Sequence, residues 1–249
     1  MAKNDIQLMT HLVAGFPDRQ GFAQAVSGLK QGGADILELQ IPFSDPTADG
    51  PVITRACEEA LGEGFRVNDT FEYIRLAQDA GFKRIVLMTY ANIVFRYGFQ
   101  RYADDMKRAG IEAVLVPDLP FDDEDGFYQT AFDAGLDPMP VAVVSMSAER
   151  LEILQQKPFR KIYVSIRSGI TGQKSTITPQ VKDFLSRLSA YERFAGFGIR
   201  SAQQIQELAP YADAAVVGSY FTDIIACISE KGGSVKDAVR KAVQDLKAL

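Results

Sequence analysis

A single (β/α)8 barrel is the fold class that the sequence predicts, and three observations predict it. Eight short runs rich in Val, Ile and Leu alternate with amphipathic helical patterns along the whole chain. Composition does not shift between the two halves and no Pro/Ser-rich linker interrupts them, so residues 1–249 read as one domain. The length of 249 residues is what a closed α/β barrel uses, about 250. The alternative, an open doubly wound sheet, calls for a Gly-x-Gly-x-x-Gly turn after the first strand. Ala14-Gly15-Phe16-Pro17-Asp18 stands there instead.

The strands are expected over 7–14, 35–41, 84–90, 113–116, 138–144, 161–166, 193–197 and 214–217, each bounded by Gly, Asp or Pro. Helical spacing follows them. Phe22, Val26 and Leu29 mark a helix over 21–31, and Phe99, Tyr102 and Met106 mark one over 97–109. Thr178-Pro179 opens a helix over 179–188 with a cap residue and a proline at the first helical position. Ser-Val-Lys-Asp opens the last one at Ser234, a capping-box variant. Gly32, Gly81, Gly110 and Gly135 follow helices and read as left-handed caps that return the chain to the sheet. The polar stretch 171–178 reads as a mobile loop.

Composition excludes several classes of function. The net charge is −5, from 27 Lys plus Arg against 32 Asp plus Glu, and no basic stripe is present, so nucleic acid is not an expected partner. No apolar run is long enough for a membrane span. The N-terminal residues Met1 to Ile6 lack an apolar secretory core, so a cytoplasmic location is expected. Cys57 and Cys227 lie far apart and read as reduced cysteines. The single histidine, His11, excludes His-rich metal sites.

The most informative segment is 37–51, where the second strand runs into a Pro-stiffened loop. Strand alternation places Ile36, Glu38 and Gln40 on one face and Leu37, Leu39 and Ile41 on the other. The all-apolar face packs on the outer helices, so Glu38 points into the barrel near its C-terminal rim. A carboxyl there has a raised pKa and suits proton transfer. The same spacing equally allows a Glu paired with an inward Arg or Tyr. Asp49 sits in the loop above, either a turn former or a second carboxylate for acid/base work. Glycine-bearing turns follow the last three strands, at Gly169 to Gly172, Gly196-Phe197-Gly198 and Gly218-Ser219. They let backbone N–H groups approach a ligand, and the last also opens a helix, so a phosphate is expected in this quarter. Lys161 is at the start of its strand and Lys174 in a loop, which argues against a Schiff-base aldolase. Carboxylate acid/base chemistry on a phosphorylated small molecule remains.

At these residues the chain resembles the tryptophan synthase alpha subunit family. The match runs through Leu37-Glu38 and Pro42-Phe43-Ser44-Asp45-Pro46, then Ala48-Asp49-Gly50-Pro51, and continues in order through 88–92, 116–120, 163–172, 196–199 and 218–219. The resemblance implies a phosphate-binding TIM barrel that cleaves indole-3-glycerol phosphate to indole and glyceraldehyde 3-phosphate. It makes Glu38 the general acid/base, Asp49 the carboxylate that takes the indole N–H, and Tyr163 the tyrosine beside the catalytic Glu. It assigns the phosphate to Gly172, Gly198, Gly218 and Ser219, loop closure to Thr171 and an apolar wall to Phe197. The implied partner is a pyridoxal-phosphate-dependent beta subunit in an α2β2 assembly, met through Asp45, Pro46, Asn92, Asp118 and Pro120. No cofactor or metal is implied for this chain. A stand-alone lyase and a catalytically silent activator of a beta subunit remain as alternatives.

Two residues depart from the family pattern. Gln40 stands where the family has Gly, and His11 stands where it often has a large apolar residue facing the indole. Few residues precede the first strand, so a shortened N-terminal helix is expected.

Overall fold

Parallel strands covered on both faces are built from nearly continuous apolar runs, and nine occur among the described residues. The computed structural model describes residues 6–122, 125–166, 177–196 and 198–248. The strands are β1 (Gln7–Val13), β2 (Ile36–Gln40), β3 (Ile85–Met88), β4 (Ala113–Leu115), β5 (Asp137–Pro138), β6 (Val141–Val143), β7 (Lys161–Ser165), β8 (Glu192–Gly196) and β9 (Ala214–Val217). Their order in the sheet is β5-β4-β3-β2-β1-β9-β8-β7-β6, and every pairing is parallel.

The two ends of that order, β5 and β6, are consecutive in the chain, so the sheet closes on itself. The strand expected over 138–144 is therefore two short strands. Pro138 and Pro140 have no N–H to donate and interrupt the ladder. Between them the Met139 N–H donates to the Val114 carbonyl at 2.8 Å, and the Pro140 carbonyl accepts from the Tyr163 N–H at 3.0 Å. These two bonds carry the closure across the proline pair.

Eleven α-helices lie outside among the described residues: α1 (Arg19–Gly32), α2 (Pro51–Gly62), α3 (Thr70–Asp79), α4 (Ala91–Tyr97), α5 (Phe99–Arg108), α6 (Phe127–Asp133), α7 (Ala148–Gln155), α8 (Pro179–Arg187), α9 (Ala202–Leu208), α10 (Ser219–Glu230) and α11 (Val235–Lys247). The single helix expected over 97–109 is instead α4 and α5. They are broken at Gly98, whose φ of 89° and ψ of 126° are not helical. The left-handed cap of α1 is Gly33 rather than Gly32, while Gly81, Gly110 and Gly135 take positive φ as expected. Thr178 and Ser234 cap α8 and α11 through their side chains. Residues 1–5, where the shortened N-terminal helix was expected, and 171–176 of the polar loop lie outside the described residues.

The core has two layers. Met9, Ile36, Val86, Met88, Phe194 and Val216 fill the barrel, while Leu37, Leu39 and Ile41 face the helices. This is the alternation expected for β2. The first and last helices meet around Gly28, where a Cβ would lie 2.3 Å from the Lys236 carbonyl oxygen. At the N-terminal end of the strands, Arg84 pairs with Glu112 and Glu192, and Lys161 reaches Glu112, Asp137 and Glu192. Lys161 thus belongs to an ion-pair plug at the barrel floor, the end opposite to the site.

Candidate active site

A cavity of about 1050 Å³ opens at the C-terminal ends of the strands, where barrels of this kind place their chemistry. Glu38, Asp49 and Tyr163 all line it, as do Gly198, Gly218 and Ser219. One site therefore gathers the two predicted carboxylates, the predicted tyrosine and residues of the last two glycine turns. Thr171, Gly172 and Phe197 lie outside the described residues.

Glu38 is 3% exposed and stands on β2 in register with His11 of β1. No basic side chain forms an ion pair with it among the described residues, which removes the alternative of a Glu locked to an inward Arg. Burial, and secondarily the negative charge of Asp49, raise its pKa to about 8. A carboxyl in this state carries a proton at neutral pH and can give it up to a reacting atom.

Asp49 is fixed by two donors on one oxygen. The Gln40 amide N–H donates to its Oδ2 at 2.7 Å and the Tyr90 hydroxyl donates to the same atom at 2.8 Å. Tyr90 also accepts the Ala48 N–H at 3.3 Å and stacks on Phe43, with ring centroids 5.2 Å apart. It thereby pins the loop after β2 to β3. Burial raises the Asp49 pKa, opposed by His11, Tyr90 and Gln40. With Oδ2 committed to two donors, Oδ1 is the lone-pair site left for a ligand N–H.

Gln40 is fully buried and bridges two groups. Its Oε1 lies 2.6 Å from His11 Nε2. Because its amide nitrogen faces a carboxylate, its oxygen must face His11, so His11 Nε2 carries the hydrogen. Burial lowers the His11 pKa, opposed by Asp49 and Gln40. The ring is therefore neutral at pH 7. The departure at Gln40 thus ties His11 to Asp49.

Tyr163, on β7, packs against Gly196 of β8, where a Cβ would fall 2.3 Å from its hydroxyl oxygen. Only glycine at 196 admits this ring. Burial raises its pKa well above the usual tyrosine value, so it is a neutral phenol. Gly198 has φ of 83°, and Ser219 is the first residue of the twelve-residue α10, whose N-terminal N–H groups point to the cavity end. No group of three or more His, Cys, Asp or Glu side chains arranged to hold a metal ion occurs among the described residues.

On the rim, Asp45, Asn92, Asp118 and Pro120 are exposed. The Asp118 carboxylate accepts the Ala91 N–H at 2.9 Å and so fixes the start of α4. Pro46 is buried within the chain, so its ring supports the loop and offers no surface to a partner. Sequence reasoning assigned no role to Tyr90 or to the His11–Gln40 contact. Tyr90 could have been found by extending the inward alternation of Val86 and Met88 by two residues.

The profile of the family described as tryptophan synthase alpha chain matches residues 1–249. The alpha chain of Desulfotalea psychrophila is 36% identical over 231 residues, covering 92% of this chain and 90% of the relative. That of Methanosarcina mazei is 35% identical over 250 residues, covering 99% and 89%. Among solved structures, a chain of the tryptophan synthase a2b2 complex of Pyrococcus furiosus superposes with a TM-score of 0.87 at 30% identity, each chain covered in full. One of Mycobacterium tuberculosis tryptophan synthase gives 0.85 at 32% identity, covering 98% of this chain and 92% of that one. A family match over the entire length, on a barrel whose cavity joins Glu38, Asp49, Gly198 and Gly218, places this chain in the tryptophan synthase alpha chain family.

Proposed function

We propose that this protein cleaves indole-3-glycerol phosphate to indole and glyceraldehyde 3-phosphate, with Glu38 as the acid/base and Asp49 as the anchor of the indole ring. The observation that carries the reading is the buried Glu38 facing the same cavity as Asp49, whose two hydrogen-bond donors among the described residues both reach Oδ2. Glu38 gives its proton to indole C3, and positive charge develops on the ring nitrogen. Asp49 Oδ1 accepts that N–H and stabilises the cation. The Glu38 carboxylate then takes the proton of the hydroxyl on the first glycerol carbon. The bond between that carbon and C3 breaks, its electron pair returns to the ring, and an aldehyde is left. Glu38 ends the cycle protonated as it began. Tyr163, a neutral phenol, walls the reacting centre beside Glu38.

Gly198, Gly218 and Ser219 take the phosphate through backbone N–H groups and the helix N-terminus. Gly172, Thr171 and Phe197 complete the same roles by resemblance. The chemistry asks no cofactor of this chain; pyridoxal phosphate belongs to the partner. That partner is a beta subunit, as in the a2b2 complex of Pyrococcus furiosus. It docks on the rim through Asp45, Asn92, Asp118 and Pro120. Phe95, exposed on α4 one turn from Asn92, adds an apolar anchor of the kind that dominates interfaces. No helix among the described residues is long and apolar enough to cross a membrane, and the reading places the enzyme in the cytoplasm.

Indole release from indole-3-glycerol phosphate, measured with and without a beta subunit, tests this reading. The chain has no Trp, so indole fluorescence is followed over a tyrosine background. Turnover that rises with the partner supports the alpha-subunit role. Turnover unaffected by it points to a stand-alone lyase. No turnover in either arm refutes the lyase reading and leaves the silent activator of a beta subunit.

A further inference from the structure

His11 is a buried polar side chain of the cavity that the reaction above does not use. It is 5% exposed, it lines the cavity, and its Nδ1 has no hydrogen-bond partner among the described residues. Its Nε2–H is committed to Gln40 Oε1, and Gln40 is oriented in turn by Asp49. The neutral ring therefore presents a bare lone pair at Nδ1. A buried acceptor left without a donor costs about 1–3 kcal/mol, a cost that a bound donor removes.

The position of the ring says which donor. His11 is in register with Glu38 on one side. On the other side Thr10 pairs with Val217, which brings His11 level with Gly218. A Cβ built on Gly218 would lie 3.5 Å from His11 Cβ and 3.7 Å from Nδ1. The imidazole thus stands between the carboxyl that serves indole C3 and the glycine turn that serves the phosphate. A ligand holding both ends must lay the chain that joins them across this ring. In the proposed substrate that chain carries two hydroxyl groups, both donors.

We infer that His11 is a substrate-contact residue whose Nδ1 accepts a hydrogen bond from a hydroxyl of the glycerol chain, with Gln40 as the positioning residue that fixes its tautomer. The inference rests on the functional reading above and adds to it a determinant for the hydroxylated chain. A methyl or methylene at this position would select a plain alkyl linker equally well; an unpaired acceptor does not.

The test compares two ligands and four proteins. The ligands are indole-3-glycerol phosphate and an analogue with the same indole and phosphate joined by an unsubstituted propyl chain. The proteins are the full-length wild type and the His11→Leu, His11→Asn and His11→Gln variants. An Asn oxygen lies where Nδ1 lies, and a Gln amide nitrogen reaches the place of Nε2. The wild type is expected to favour the hydroxylated ligand about tenfold, the value of one well-placed hydrogen bond. His11→Leu and His11→Gln lose that preference, as a rise of about tenfold in KM for the substrate, while binding the propyl analogue within about twofold of wild type. His11→Asn retains the preference although it gives up the bond to Gln40. A purely structural role would move both ligands together. Preference retained in His11→Leu and His11→Gln, or absent in the wild type, overturns the inference and leaves the functional reading standing. A wild type that binds neither ligand overturns both.

Discussion

Glu38→Gln should make this protein more stable and inactive at once. The carboxyl is fully buried and its pKa is raised from 4.5 to about 8, first by burial and then by Asp49. In the unfolded chain the same group ionises near 4.5. Between these values the folded state holds a proton that the unfolded state has released, so stability falls as pH rises through that window. At pH 7 the difference costs about 3 kcal/mol, and above pH 8 about 5 kcal/mol. Glutamine has nearly the same shape and never ionises, so the variant escapes this cost. For a chain of this size, about 3 kcal/mol corresponds to a rise in Tm of about 6–12 °C. Thermal melts of both proteins from pH 4.5 to 9 read the effect. The two curves should lie close together at pH 4.5 and separate progressively up to pH 8. Melts that stay parallel across this range refute the raised pKa. Indole release by the variant above a thousandth of wild type refutes the proton-transfer role, whatever the melts show.

Three further outcomes follow from named contacts. Asp49→Asn removes the anion that repels the Glu38 carboxylate, so the Glu38 titration, followed by NMR of a labelled carboxyl, should move below 8; indole release should fall about a hundredfold or more as the cationic ring loses its counter-charge. Gly28→Ala drives a Cβ to 2.3 Å from the Lys236 carbonyl oxygen, which a helix backbone cannot yield cheaply; the α1–α11 contact should loosen at a cost of about 2–3 kcal/mol, read as a lower urea midpoint. Arg84→Met leaves Glu112 and Glu192 facing one another beside Lys161. Because these groups are about a quarter exposed, the loss should be about 2 kcal/mol, below that of a sealed pair. Burial opposes ionisation of Glu112, but Arg84 and Lys161 hold its pKa below the usual value. The wild type's advantage over this variant should therefore be present above about pH 4.5 and shrink in melts taken below it.

The barrel was legible because its signals are local. Strand alternation at Ile36, Glu38 and Gln40 needs only the period of two, and it placed Glu38 inward before any neighbour was known. The capping residues Thr178 and Ser234 act on amides three positions away, so they too could be read from the chain. The misplaced boundaries lie where a residue's effect depends on its surroundings. Gly98 divides a helical pattern that its apolar spacing alone carries straight through. Pro138 and Pro140 split one apolar run because the adjacent strands need donors that proline does not have.

The site followed the same division. Short spacing put Glu38 and Asp49 on one strand and the loop above it, and the order of the glycine turns raised the expectation of a phosphate late in the chain. Whether Glu38 would be neutral or ion-paired was open, since the answer is set by which side chains arrive from other strands. Among the described residues the folded barrel brings no basic partner to it, and burial then raises its pKa. The link from His11 through Gln40 to Asp49 joins β1, β2 and the following loop, and the grip of Tyr90 on Asp49 reaches across forty-one residues. Side-chain type and local period are properties of the sequence alone. Hydrogen-bond partners, desolvation and the pKa values that follow from them exist only once the strands stand side by side.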